Sequence, residues 1–255
     1  MKSPLHDNER TFRCTPVLKE LIPLESRVES YFMFGGAVEL SLAASKRHVI
    51  AHLNRRPVYD FWKCLEVDSS IVVDMVRSFN PLPDKTTFYL FQEKWHTYPD
   101  PFMRAALLLV LNRHTEEGTV SHGEFTKSRL NSLTLSYLTK LDFSHLELKL
   151  REERDLLQTI SPQNAEPPSI VLINGGQFYY SYFPESKLRG PEETIIDHLE
   201  LKTTLDALTR PALLLYQYDP RLIELYQEYT IHLVDGHGRR TQDAKFAQEV
   251  IIANF

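Results

Sequence analysis

Ser169-Ile170-Val171-Leu172-Ile173-Asn174-Gly175-Gly176-Gln177 is the stretch that decides how the chain is read. Ile170 to Ile173 form an apolar run of strand length, with the composition of a buried strand. Two glycines follow almost at once and free the backbone, so Asn174-Gly175-Gly176-Gln177 is expected to turn sharply. In an open α/β sheet the loop after such a strand lies where ligands bind. The position is therefore that of a candidate site.

Working outward, residues 28–34 read as an upstream strand broken by Gly35-Gly36, and residues 37–45 carry strong helix formers. Residues 48–53 read as a second strand, and Pro57 suits the first turn of a helix through Trp62 and Leu65. This βαβα unit is the first half of a doubly wound sheet. A short helix is expected at 17–22. Beyond the opening stretch come an amphipathic helix over 192–208, a strand over 211–216 and a helix over 220–229. An antiparallel pair, 230–234 with 249–253, surrounds a polar loop. Between the two halves, residues 71–79, 101–111, 130–141 and 146–157 have helical spacing. Residues 80–84 form a loop, and the polar segment 116–126, with Gly118 and Gly123, reads as a hairpin or irregular loop. A proline-rich stretch over 161–168 closes this part as a linker. The expected organisation is an α/β core of residues 1–65 and 161–255 carrying a mostly helical insertion over 66–160.

The chain has 255 residues, enough for one large domain or a core with one inserted subdomain, and its 42% hydrophobic and 25% charged content is that of a globular protein. No apolar run approaches the ~18 residues of a membrane span. The first residues lack an apolar signal segment, so a cytoplasmic location is expected. Two cysteines, Cys14 and Cys64, are too few for a disulfide framework and read as packing residues. The ten histidines are read as carrying no metal site. Ser136 and Ser181 lie in no nucleophile-elbow pattern. A net charge of −5 argues against unspecific nucleic-acid binding by the whole surface, while leaving room for a local basic face.

The order of parts then resembles the Dam-like family of DNA adenine methyltransferases. Ser30-Tyr31-Phe32-Met33-Phe34-Gly35-Gly36-Ala37-Val38 matches that family's glycine turn, E-P-F-x-G-G-G-A-V. Ala51-His52-Leu53-Asn54 stands at its N-D-x-N. Ala105-Ala106, then Asn112-Arg113-His114-Thr115-Glu116-Glu117-Gly118, then Gly123 and Phe125, follow the order of its inserted recognition domain. Asp197-His198-Leu199, the pattern of Tyr218, Asp219, Ile223, Leu225 and Tyr226, and Arg239-Arg240 with Glu249-Val250-Ile251-Ile252 complete the series. The resemblance implies a doubly wound Rossmann-like methyltransferase sheet with an inserted DNA-recognition-like subdomain. It also implies methyl transfer from S-adenosylmethionine to the exocyclic amine of adenine.

Set against the family's motifs, the residues that carry chemistry differ. The family's catalytic tetrapeptide is D-P-P-Y, whose acid and following carbonyl accept from the target amine while the aromatic ring stacks on the flipped base. Asn174, Gly175, Gly176 and Gln177 stand there, and Phe178 supplies a ring only if the loop shifts by one residue. The cofactor positions are Ser30 for the acid, Phe34 for the first glycine, Gly35 and Gly36 retained, and His52 for the ribose-binding acid. Arg13 is at best a substitute for the lysine of the family's N-terminal G-G-K turn. In the insertion, Ser121 or His122 stands at the hairpin arginine, and Glu116-Glu117 would repel phosphate. Arg104, Arg113, Lys127 and Arg129 remain as candidate DNA-backbone contacts. Lys46-Arg47-His48 and Arg55-Arg56 are further basic clusters. The aromatic run Phe178-Tyr179-Tyr180-Tyr182-Phe183 is either a lid over the pocket or a base-stacking surface.

The expectation is a catalytically inactive methyltransferase-like protein, without cofactor, that binds DNA or a protein partner. Two alternatives stand beside it. One is a divergent active enzyme using S-adenosylmethionine, Asn174 and Phe178. The other is a protein-interaction scaffold or regulatory subunit that does not touch DNA.

Overall fold

A computed structural model describes residues 3–7, 12–116, 118–151, 160, 169–178, 190–191 and 196–255. Its strands are β1 (Arg27–Tyr31), β2 (His48–Leu53), β3 (Leu146–Leu150), β4 (Ser169–Gly176), β5 (Ala212–Gln217), β6 (Thr230–Asp235), β7 (Arg240–Thr241) and β8 (Ala247–Ala253). They form one eight-stranded sheet in the order β3-β2-β1-β4-β5-β8-β6-β7. Neighbours from β3 through to β5 run parallel, whereas β8 is antiparallel to both β5 and β6. The helices are α1 (Thr15–Leu21), α2 (Ala37–Ala43), α3 (Arg56–Phe79), α4 (Lys85–Lys94), α5 (Pro101–Arg113), α6 (Ser132–Leu138), α7 (His198–Ala207) and α8 (Pro220–Leu225).

Side chains alternate across each strand, and both sheet faces are apolar. Val28, Val49, Leu172, Leu213 and Ile251 face a core built with α1, α2, α3 and α5. Tyr31, Val171, Ile173, Leu214 and Ile252 face a second core, which Leu201 and Leu205 of α7 and Leu222 of α8 enter. Helices on both faces of a mainly parallel sheet make this an α/β fold. The expected βαβα opening and the antiparallel close are both present.

The middle of the chain departs from expectation at several points. α3 is one element from 56 to 79, so the boundary expected after residue 65 falls inside it. A kink at Asp68 (φ −158°, ψ 94°) divides the helix, and Asp68 Oδ1 accepts from Ser70 N–H at 2.9 Å as a local cap. Residues 146–150, expected to be helical, form β3 and extend the sheet beside β2. Leu146-Glu147-Leu148-Lys149-Leu150 alternates apolar and charged residues, the period of a strand, and that pattern prevails. The helix α4 had no counterpart in the sequence reading. Segment 116–126, expected as a hairpin or irregular loop, is irregular and contains no strand among its described residues; Thr126 N–H bonds His114 O at 2.6 Å and Gly123 N–H bonds Thr119 O at 3.0 Å. The expected linker over 161–168 lies outside the described residues, as do 152–157 and 192–195.

α5 explains why this region does not stand apart from the sheet. Ala105 to Leu111 are wholly buried, so the helix is apolar on all sides and packs along α3 as a central element. The same core continues from it to the sheet face that carries Val28 and Leu172.

Two buried charges fix α1. Glu249 of β8 accepts the N–H groups of Phe12 (3.1 Å), Arg13 (3.1 Å) and Cys14 (2.6 Å), the N-cap residue and the two before it, and so anchors the chain entering the helix. At the other end the Arg47 guanidinium donates to Ile22 O (Nε, 3.0 Å) and Lys19 O (Nη2, 2.6 Å), closing the helix C-terminus. Arg47 is therefore a structural cation and not part of a surface cluster.

Candidate functional site

The chain leaves β1 for β2 on one side, and β4 lies on the other. The strand order reverses there, which places the ligand crevice of such a sheet at the carboxyl ends of β1 and β4. The glycine turn after β1 and the Asn174 stretch both arrive at this point, as the sequence expectation required.

In the glycine turn, Phe32 takes a left-handed conformation (φ 64°) and Gly36 another (φ 68°). A Cβ on Gly36 would stand 2.6 Å from Met33 Cε and 2.8 Å from Trp62 Cζ2, so only glycine fits. Trp62 Nε1 donates to Phe34 O at 2.8 Å, tying the turn to α3. The Gly35 N–H donates to Asp7 Oδ2 at 3.2 Å, and its carbonyl accepts from Ser3 Oγ. Residues 3–7 of the same chain thus take both peptide groups of Gly35.

That N-terminal segment is held from behind by α5. Asn112 Oδ1 accepts from His6 N–H at 2.7 Å, while its Nδ2 donates to His6 O at 2.8 Å and Gly118 O at 2.7 Å. Arg113 Nε donates to Pro4 O at 2.8 Å. The Asn112-Arg113 pair, expected in a recognition surface, here pins the segment that covers the glycine turn.

Ser30 Oγ donates to Glu39 Oε1 at 2.7 Å, and both groups are buried within the core. At the position where the resemblance implies a ribose-binding acid stands His52, whose ring stacks on Tyr31 with centroids 4.5 Å apart and planes 13° off parallel. Tyr31 Oη in turn donates to Glu29 Oε2 at 3.1 Å. His52 is only 6% exposed, and neither ring nitrogen has a hydrogen-bond partner. Burial pushes its pKa down to about 4, against the opposing pull of the Glu29 carboxylate. His48 and His52 do form an H-x-x-x-H spacing. On a strand, four residues span about 13 Å, too far for one ion to bridge. Among the described residues no group of three or more potential metal ligands converges.

Residues 169–177 are straighter than their sequence predicts. β4 runs on through Gly176, and its register against β5 shifts between Asn174 and Gly176, the mark of a bulge. The glycines therefore serve a bulge within the strand, where a sharp turn beyond it was expected. A Cβ on Gly175 would lie 2.3 Å from Tyr216 Cε1, so the Tyr216 ring fills the space beside the backbone. Asn174 is buried at 5% exposure, and Gln177 is partly buried. Phe178 is buried beside His198 (centroids 5.0 Å apart) and meets Tyr216 edge-on at 6.2 Å, with the Arg221 guanidinium 5.2 Å over its ring. His198 Nδ1 lies 3.1 Å from Tyr216 Oη. The remaining aromatics of the run, 179–183, lie outside the described residues.

Chemically this is a packed aromatic knot. Burial raises the Tyr216 phenol well above its ordinary range, so it is neutral at pH 7 and acts as a hydrogen-bonding group. Nothing in the Asn174-Gly175-Gly176-Gln177 quartet is acidic. Phe178, the ring that the resemblance would offer for base stacking, packs inside the chain. Sequence reading missed Tyr216, Ser3 and Asp7; nothing in their local context distinguishes them, because their roles depend on contacts distant in the chain.

The candidate DNA cations divide into two pairs. Arg104 Nε donates to Asp60 Oδ2 at 3.1 Å, and Arg56 reaches the same carboxylate through Oδ1 at 3.0 Å. Arg104 and Arg113 are thus engaged internally. Lys127 and Arg129 are exposed, although Arg129 Nη1 also donates to Glu116 O at 3.0 Å. The four side chains do not form one convergent cluster of free charges.

Among the described residues no helix is long and apolar enough to cross a membrane. A scan against protein-family models finds no match to this chain, and a search of curated proteins finds no relative.

Proposed function

We propose that this chain is a degenerate Dam-like methyltransferase that no longer transfers methyl groups and works in the cytoplasm by binding. The order of its motifs and the strand-order switch beneath the glycine turn support that lineage. The observation that carries the loss of activity is the capture of Gly35: both its peptide groups are bonded by Ser3 and Asp7, where a cofactor would have to approach the backbone. The ring of Tyr216 against Gly175 and the Ser30–Glu39 bond act in the same direction.

Binding is proposed to run through the outer face of the region after α5. Lys127 and Arg129 are exposed cations there, and a duplex backbone is the partner they suit. A protein partner is the second reading. The internal engagement of Arg104 and Arg113 favours it, because it removes two of the four expected phosphate contacts. A mobility-shift assay at low and moderate salt separates the two: binding to duplex DNA that weakens steeply with salt supports phosphate contacts, and no shift at low salt leaves the protein partner. Incubation with labelled S-adenosylmethionine and adenine-containing duplex tests the lost activity; incorporation above a heat-killed control contradicts it.

A further inference from the structure

Among the described residues the sheet has an open side at β3, which pairs with β2 and with no other strand. Val49 N–H bonds His145 O at 2.9 Å and Arg151 N–H bonds Leu53 O at 2.8 Å, so the odd-numbered residues of β3 make its ladder with β2. Alternate residues of a strand turn their peptide groups to opposite edges. The N–H and C=O of Leu148 and Leu150, and the C=O of Leu146, therefore point outward. The Leu146 N–H is already bonded to Phe143 O at 3.0 Å. An edge of this kind is a template for another strand.

The side chains along the edge say which strand fits. Glu147 and Lys149 share one face, lie 3.2 Å apart at Nζ–Oε1, and are partly exposed; Leu146, Leu148 and Leu150 share the other. We propose that β3 pairs antiparallel with β3 of a second copy of this chain about a two-fold axis at Leu148. That register sets Leu148 opposite its own counterpart as a hydrogen-bonded pair exchanging both bonds. Each Leu150 N–H then meets the other copy's Leu146 carbonyl. Glu147 falls opposite Lys149 of the other copy, twice, at the closer non-hydrogen-bonded positions where side chains interact most. Opposite charges thus alternate in a square across the axis, and the leucine rows join into one apolar strip. A two-fold contact must be self-complementary, and this five-residue edge is. Parallel pairing of the same edges would set Glu147 against Glu147 and Lys149 against Lys149.

Sedimentation velocity of the full chain tests this. The wild type is expected to show a concentration-dependent monomer–dimer equilibrium that shifts towards monomer as salt rises. Glu147→Lys places like charges across the axis and is expected to leave only monomer, with unchanged far-ultraviolet circular dichroism. Lys149→Glu is expected to do the same, and an equimolar mixture of the two variants to associate, because one edge is then wholly basic and the other wholly acidic. In the wild type itself, amide exchange at Leu148 is expected to slow as protein concentration rises. A wild-type chain that stays monomeric at all concentrations overturns the proposal. So does a dimer that Glu147→Lys leaves intact, or variants that fail to associate when mixed.

Discussion

His52 is the residue where burial and protonation are most plainly coupled. Its imidazole lies flat on Tyr31 with both nitrogens unpartnered. Its pKa falls from 6.5 in the unfolded chain to about 4 in the folded one. The neutral ring is the folded form, so between those values the unfolded state binds more protons and stability rises with pH. The contribution is fully present above pH 6.5 and is lost as pH falls towards 4, a difference of about 3 kcal/mol. His52→Phe keeps the stacking and removes the titration. Urea unfolding at pH 7 and pH 4.5 is expected to show a smaller pH loss in the variant than in the wild type; equal losses would mean that other groups carry the pH dependence. At Gly175 the expected effect is steric. Gly175→Ala drives a methyl into the Tyr216 ring, and overpacking of this kind costs about 1–3 kcal/mol. Denaturant midpoints of the two chains measure it, and an unchanged midpoint would show that the ring has room to move.

The same logic recurs in the elements that carry these residues. The segment 3–7 has little structure of its own and is placed by the end of α5. Asn112 is wholly buried and fills its amide with His6 and Gly118. Asn112→Ala leaves three backbone groups without a partner and is expected to destabilise the fold by about 2–4 kcal/mol. Hydrogen exchange should report faster exchange at Gly35 and His6 than in the wild type, and exchange unchanged at both would separate the segment from α5. Glu249 plays the corresponding part for α1. Glu249→Ala removes one carboxylate from three N–H groups, with an expected cost of about 2–3 kcal/mol, again read from denaturant midpoints. Several elements were legible in the sequence, and for identifiable reasons. α2, β2, α5 and β5 have unbroken patterns and clear boundaries in Gly, Pro or charge. β3 is ambiguous in sequence because Leu146 and Leu150 are four residues apart as well as alternating, so five residues satisfy both periods. The bulge in β4 was read as a turn because two glycines serve either equally well. α4 has too little apolar periodicity to announce itself, since Phe88 is the one buried residue of its run. What the site does was least legible, because Ser3, Asp7 and Tyr216 reach it from positions far apart in the chain.

At the scale of the molecule, one sheet covered on both faces carries a crevice at the carboxyl ends of β1 and β4, and polar groups around it are paired within the chain. Gly35, Ser30, Asn112 and Arg113 all complete hydrogen bonds within the chain, and Tyr216 and Phe178 pack against each other beside Gly175. If duplex DNA is the partner, replacing Lys127 and Arg129 together by Ala is expected to weaken binding across all sequences and to reduce the salt dependence by about two phosphate contacts. Binding that stays unchanged would move the contact elsewhere. The central claim is that the cofactor position is closed. Isothermal titration of the full chain with S-adenosylmethionine tests it most directly. The expected result is no saturable heat into the millimolar range; saturable binding in the micromolar range would show an open, working pocket and contradict the claim.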